Sequence, residues 1–137
     1  MTQIVMLAPY ARALDMRVHD DSGFAPIILM PYADKVQGRP GYLHGGAISG
    51  LLEMAAVAAI HKALSERGND APIKQVNVTI DFMRAGLPED TFAVGIVTRL
   101  GRTMANVDAH AWQGSGPEKP IAIAHMHYLI KSSSNRS

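Results

Sequence analysis

The chain has 137 residues, with 13 basic and 12 acidic side chains for a formal charge of +1, and no cysteine. That length is most simply one domain, able to bury roughly two thirds of the surface its unfolded chain exposes. Balanced charge disfavours a broad nucleic-acid-binding face, and the lack of cysteine excludes a disulfide framework, a thiolate metal site and a cysteine nucleophile.

The N-terminal MTQIVMLAPYARAL has neither the basic n-region nor the apolar h-region of a secretory signal, so a soluble, cytoplasmic protein is expected. Residues 4–13 have the composition of a short leading helix, with Pro9 working against it. Two strand-like runs, residues 14–19 and 24–32, flank the turn cluster Asp20-Asp21-Ser22-Gly23 and read as a hairpin. Pro26 and Pro31 point to an edge position for its second strand. Residues 33–43 form a glycine- and proline-bearing loop.

The stretch that follows, YLHGGAISGLLEMAAVAAIHKAL, organises the rest of the chain. It predicts a helix from Gly45 to about Arg67, stopped by Gly68-Asn69-Asp70 and Pro72, with Lys62 and Arg67 suited to the negative end of its dipole. Glu53 and His61-Lys62 interrupt the apolar run, which is too short to span a membrane. The helix has no continuous polar side, so it should be buried against a sheet.

That sheet is legible downstream. Residues 74–84 alternate, with Val76, Val78, Ile80 and Phe82 on one face and Gln75, Asn77, Thr79 and Asp81 on the other. Residues 91–100 alternate through Phe92, Val94 and Ile96. Residues 103–112 carry Ala105, Val107, Ala109 and Ala111 on one face, and residues 121–130 form a last strand. Strand and turn repeated in this way predict an antiparallel meander, and the alanines allow helix and sheet to approach closely. The fold class is therefore α+β, an antiparallel sheet around one long central helix. Residues 1–131 form one domain and residues 132–137 a disordered tail.

Nucleotide-binding glycine patterns and the Gly-x-Ser-x-Gly elbow do not occur. His125 and His127 share a strand face, but no other metal-ligand residue type clusters with them in sequence, so they read as ordinary sheet histidines and no metal is expected. Chemistry concentrates on the helix. Its start at Gly45-Gly46 presents free N–H groups and the positive end of a dipole, suited to developing negative charge. Glycine there lets a substrate carbonyl approach the backbone, and His44 stands beside it. Glu53 has no Lys or Arg within four residues, a setting in which desolvation favours a general base. From the residues alone, an acid facing water through a gap in the sheet and a simple tight turn fit equally well. Gly45 and Glu53 are eight positions apart, about 12 Å along a helix. To act on one substrate they must come from antiparallel helices of a two-fold dimer.

PGYLHGGAISGLLEMAAVAA, followed by VTIDFMRAG and LGRTMANVDAHAW, resembles the hotdog-fold acyl-CoA thioesterases of the PaaI type over essentially the whole chain. The resemblance implies hydrolysis of acyl-CoA to acid and CoA without a cofactor, in a homodimer commonly paired into a dimer of dimers. It implies Gly45 as the backbone donor polarising the thioester carbonyl, His44 as its orienting partner, and Glu53 as base or nucleophile. Substrate-binding candidates are Gly46, Gln37, Gln75, Asn77, Arg84 and the Gly101-Arg102-Thr103 turn, with Arg84 and that turn placed for the phosphates of CoA. The chain departs from the pattern in three places. Gly38 replaces an Asn six residues before the motif His, Gln75 stands near a usual Ser or Thr, and Arg84-Ala85 replaces Arg-Pro. Two other activities fit the fold: a non-catalytic acyl-CoA-binding module, and a dehydratase or hydratase. The latter needs a His on the loop before the helix, and residues 33–43 contain none.

Overall fold

The computed structural model describes residues 7–114 and 116–131. It opens on a short helix, α1 (Pro9–Ala13), with Pro9 in its first turn. At that position the missing N–H has no intrahelical partner to lose, so the proline starts the helix it was expected to oppose. Residues 4–6 of the expected helix and the 132–137 tail lie outside the described residues.

Strands β1 (Arg17–Asp20) and β2 (Ile27–Met30) form the expected hairpin. The edge assignment of the second strand is corrected. β2 lies between β1 and a later strand, and Pro26 and Pro31 fall just outside its two ends, where they remove no ladder hydrogen bond. The loop to the long helix contains one 3-10 turn, Asp34–Val36.

Helix α2 (Gly45–Glu66) is unbroken and ends one residue earlier than expected. Arg67 is its C-cap, and Gly68 takes the left-handed conformation (φ 69°) that glycine tolerates. The N–H of Asn69 donates to the Leu64 carbonyl and that of Gly68 to Ser65, each at 2.9 Å, which satisfies carbonyls the helix end would leave unpaired. Lys62 serves the hairpin: its Nζ donates to the carbonyl of Gly23 at 2.7 Å. α2 is long and apolar enough to cross a membrane by composition, yet it is the buried core helix of this fold.

Strands β3 (Ile73–Phe82), β4 (Thr91–Leu100), β5 (Met104–Trp112) and β6 (Ala122–Ile130) complete one six-stranded antiparallel sheet in the order β1-β2-β4-β5-β6-β3. The meander holds for β4, β5 and β6, but β3 lies beyond β6 at the far edge. Alternation specifies a strand and its two faces, not its neighbour. Gln113 pins the crossover from β3 to β4: its Nε2 donates to the Leu87 carbonyl at 2.9 Å and its Oε1 accepts from the Leu87 N–H at 3.0 Å.

α2 lies across β4 and β5 on their small-residue face. Ala105, Val107, Ala109 and Ala111 are fully buried there, paired across the ladder with Leu100, Val97, Gly95 and Ala93 of β4 respectively. Phe92, Val94 and Ile96, the larger set on β4, point to the opposite face, where Phe92 stacks on Trp112. The closest approach is at Gly95. A Cβ there would stand 2.7 Å from the Ala55 carbonyl oxygen and 2.8 Å from the Ala59 Cβ. Backbone cannot yield as a flexible side chain can, so Gly95→Val is expected to cost about 3 kcal/mol of stability. Chemical denaturation measures this as a lower midpoint, with Gly95→Ala affected less.

β3 departs from its alternating pattern. A bulge at Val76 lets Gln75 face Tyr128 and Val78 face Met126, both on the helix side of the sheet. Gln75 thus joins Val78, Ile80 and Phe82 on the inner face, and Val76 leaves it. The strand is also an open edge, with Val76 55 %, Val78 41 % and Phe82 53 % exposed. An apolar edge with unpaired ladder groups is a template for another chain.

Candidate active site

The start of α2 is built around His44. Its backbone is extended (φ −70°, ψ 131°), and its carbonyl accepts from the N–H of Ala47 at 3.0 Å and of Ile48 at 3.2 Å. Its ring folds back, and Nδ1 accepts from the Gly46 N–H at 2.8 Å. A Cβ on Gly46 would meet that ring at 2.9 Å, so glycine is what admits the cap. With Nδ1 accepting, the neutral imidazole carries its proton on Nε2 as a donor. Of the first-turn N–H groups, only that of Gly45 remains without a partner among the described residues. Gly45 and His44 are both exposed.

The preceding loop is tightly tied to this start. Gln37 Oε1 accepts from the Tyr32 hydroxyl at 3.2 Å and from the Gly41 N–H at 3.0 Å. Val36 and Gly86 accept from the N–H groups of His44 and Leu43 at 2.8 and 2.9 Å. Gly38, at the position of the Asn departure, lies against His44: a Cβ there would be 3.0 Å from the His44 Cα. The Tyr10 ring of α1 covers the second turn of α2 at Gly50, where a Cβ would meet it at 2.4 Å.

Glu53 lies two turns along α2. It is half-buried, and among the described residues its carboxylate has no hydrogen-bond or ion-pair partner. Its charge does reach the hydroxyl of Tyr128 on β6. Burial pushes the Tyr128 phenol up to about 12; the Gln75 hydrogen bond opposes that rise and the Glu53 charge adds to it. The Gln75 Nε2 donates to the Tyr128 oxygen at 3.1 Å, and the Tyr128 O–H has the Met126 Sδ within 3.6 Å.

Helix start and acid thus lie on one continuous helix, separated as expected by about 12 Å. Gln75 is hydrogen-bonded to Tyr128, a partner that sequence reasoning missed. The available signal was a tyrosine among the inward positions of a strand otherwise lined there by Ala122, Ala124, Met126 and Ile130. Asn77 faces the outer side of the sheet, with its Oδ1 3.4 Å from His127 Nδ1. On the same face His125 Nδ1 lies 2.8 Å from Asp108 Oδ1, a partner remote in sequence. Arg84 and the Gly101-Arg102-Thr103 turn are not brought together. Arg84 follows β3 at the end of the sheet where β4 begins, beside an open cleft of about 280 Å³ also lined by Glu89 and Lys119. The turn joins β4 to β5 at the other end, about 30 Å away for strands of this length.

Comparison with known proteins decides the family. The thioesterase superfamily model matches residues 40–119, which include the helix start, Glu53 and β3 through β5. The chain belongs to the thioesterase superfamily. Its six-stranded sheet around one central helix is the hotdog fold. The thioesterase family protein of Silicibacter pomeroyi superposes with a TM-score of 0.77 at 23% identity, covering 89% of this chain and 88% of that one. A conserved protein of Pseudomonas aeruginosa gives 0.76 at 21% identity, covering 92% and 96%. A mutant of the phenylacetic acid degradation protein PaaI of Thermus thermophilus gives 0.74 at 18% identity, covering 90% and 100%. At these identities the structures establish the shared fold. No curated protein sequence matches the chain. Membership of the superfamily supports thioester hydrolysis as the general chemistry of this thioesterase-fold protein.

Proposed function

We propose that the protein hydrolyses acyl-CoA thioesters to free acid and CoA, as a homodimer in which each site takes a helix start from one protomer and Glu53 from the other. The observation that carries this reading is the Gly45 N–H, left unpartnered among the described residues at the start of α2 while every neighbouring N–H is occupied. The thioester oxygen sits on that N–H, with His44 Nε2–H as a second donor beside it. Glu53 takes a proton from water as the water oxygen bonds to the carbonyl carbon, or attacks that carbon itself. The tetrahedral oxyanion collapses, the C–S bond breaks, and the thiolate leaves with a proton. A single oxyanion donor lowers such a barrier by about 3–4 kcal/mol.

The apolar, unpaired edge at β3 supports the dimer, since Val78 and Phe82 are as exposed as an edge awaiting a second copy would be. Arg84 and Arg102, at opposite ends of one sheet, can each meet CoA phosphates only where different protomers border one ligand, which favours a further pairing of dimers.

The decisive experiment is thiol release from a panel of aromatic and aliphatic CoA esters, with the mass in solution measured by sedimentation. Turnover on at least one ester and a mass of twice 14.7 kDa or more are expected. Binding of CoA esters by calorimetry with no thiol released from any ester would instead establish a non-catalytic binding module.

A further inference from the structure

α2 turns one stripe of residues away from the sheet. Ala55 and Ala59 pack on Gly95 of β4, and the helical repeat sets Gly46, Gly50, Glu53 and Val57 in a row on the opposite side. Two of these four are glycines, and the groove they leave over the helix backbone is filled from outside by the Tyr10 ring of α1. A Cβ on Gly50 would stand 2.4 Å from the ring Cε2 and 3.1 Å from Cζ, so the ring occupies the place of a side chain. Its O–H reaches the Gly46 carbonyl at 3.4 Å, long for such a bond, so packing rather than the hydroxyl seats the ring. Tyr10 is nevertheless 49 % exposed, and about half of its surface still faces outward.

Its position along α2 gives the ring a role. Gly46 adjoins Gly45, whose N–H has no partner among the described residues, and Gly50 precedes Glu53 by less than one turn. Helical side chains lean toward the N-terminus, so the Glu53 side chain covers the turn that holds Gly50 and the ring. Tyr10 therefore stands between the oxyanion donor and the acid of its own chain, and borders both of the sites that antiparallel helices share. On the other flank of the helix start, the half-exposed Phe82 ring lies 3.8 Å from where a Cβ on Gly45 would be.

We propose that Tyr10 is a specificity-determining residue: its ring blocks the groove along α2, so the site takes short acyl groups and turns long aliphatic chains away. The inference rests on the hydrolase reading above and names the acyl class that the same site accepts. An alkyl chain leaving the carbonyl carbon finds close approach to the helix backbone only along the glycines. The ring lies across that route. It touches neither the Gly45 N–H nor the bond that breaks, so it acts on which substrate fits.

The test is a ladder of butanoyl-, hexanoyl-, octanoyl- and decanoyl-CoA, assayed for thiol release with the full-length protein and its Tyr10→Ala variant. Each methylene that gains an apolar seat is worth about fourfold. The ratio of kcat/KM for decanoyl- over butanoyl-CoA should thus rise by roughly 10- to 100-fold in Tyr10→Ala. Tyr10→Phe, which keeps the ring, should keep the wild-type length profile, and Tyr10→Leu should fall between the two and replaces the alanine variant if that one melts below the assay temperature. An unchanged ratio in Tyr10→Ala and Tyr10→Leu overturns the inference, as does a Tyr10→Phe profile that shifts like that of alanine. A wild-type protein that releases thiol from no ester defeats the hydrolase reading instead. Calorimetry with the same, then intact, esters still decides the role of Tyr10: Tyr10→Ala should favour decanoyl- over butanoyl-CoA more than the wild type does, and equal ratios overturn the inference. A wild type that neither cleaves nor binds any ester overturns both.

Discussion

Glu53→Ala is expected to lower kcat on CoA esters by about two to four orders of magnitude while the protein stays folded. The stability half of this expectation follows from the surroundings of the carboxylate. Among the described residues it makes no hydrogen bond or ion pair, so its removal strands no buried partner. Its side chain is half-buried beside Ser49, Gly50 and Val57, and alanine is a good helix former there. The activity half follows from the count of acids. Glu53 is the one carboxylate within α2 before its last turn, so under the proposed mechanism its loss leaves the helix without a proton acceptor there. Steady-state kinetics and a thermal melt check both halves, and wild-type-like turnover would remove Glu53 from the mechanism.

Gly45→Pro should cost about as much by a different route. Gly45 is the first residue of α2, the one helical position where proline is favoured. His44 already has the extended backbone that a following proline demands. A Cβ at position 45 would meet only the Phe82 ring, at an ordinary 3.8 Å. The substitution thus deletes one N–H and little else, and a loss of roughly 100- to 1000-fold in kcat is expected. Gly45→Ala, which keeps the N–H, should retain far more activity.

Together the two variants test the shared site. If each site joins Gly45 of one protomer to Glu53 of the other, a mixed dimer of Glu53→Ala and Gly45→Pro chains contains one intact site. Random re-pairing of equal amounts makes half the dimers mixed, each with half its sites intact. Activity should then rise from near zero to about a quarter of wild type. No recovery on mixing would mean that both groups act from one chain, against the length of the helix between them.

Several features were readable early because they depend on local chemistry alone. Gly68 stops α2 where the left-handed turn must fall, and Lys62 and Arg67 lie near that end. The alanines of β5 announced close helix–sheet contact before Gly95 was seen to be its tightest point. The helix start and Glu53 stood out because a glycine pair and an acid are anomalies in an apolar run. Other features could not be read this way. Pro9, Pro26 and Pro31 looked disruptive because proline is judged by what it removes, and at an element's first residue or just outside its ends it removes nothing.

The sequence by itself determined the class, the central helix, the number of later strands and the spacing that separates Gly45 from Glu53, because periodicity and helical rise are properties of neighbouring residues. Only the tertiary structure decided that β3 leaves the meander for the far edge, and that Arg84 and Arg102 stand at opposite ends of the sheet. It alone turned Gln75 inward at a bulge and set Tyr128 within hydrogen-bonding distance of it. Those facts rest on pairing between strands far apart in sequence, from Phe82 with Ala122 to Ile73 with Ile130, Gln75 and Tyr128 among them. Such contacts arise from the register between strands, which no local pattern encodes.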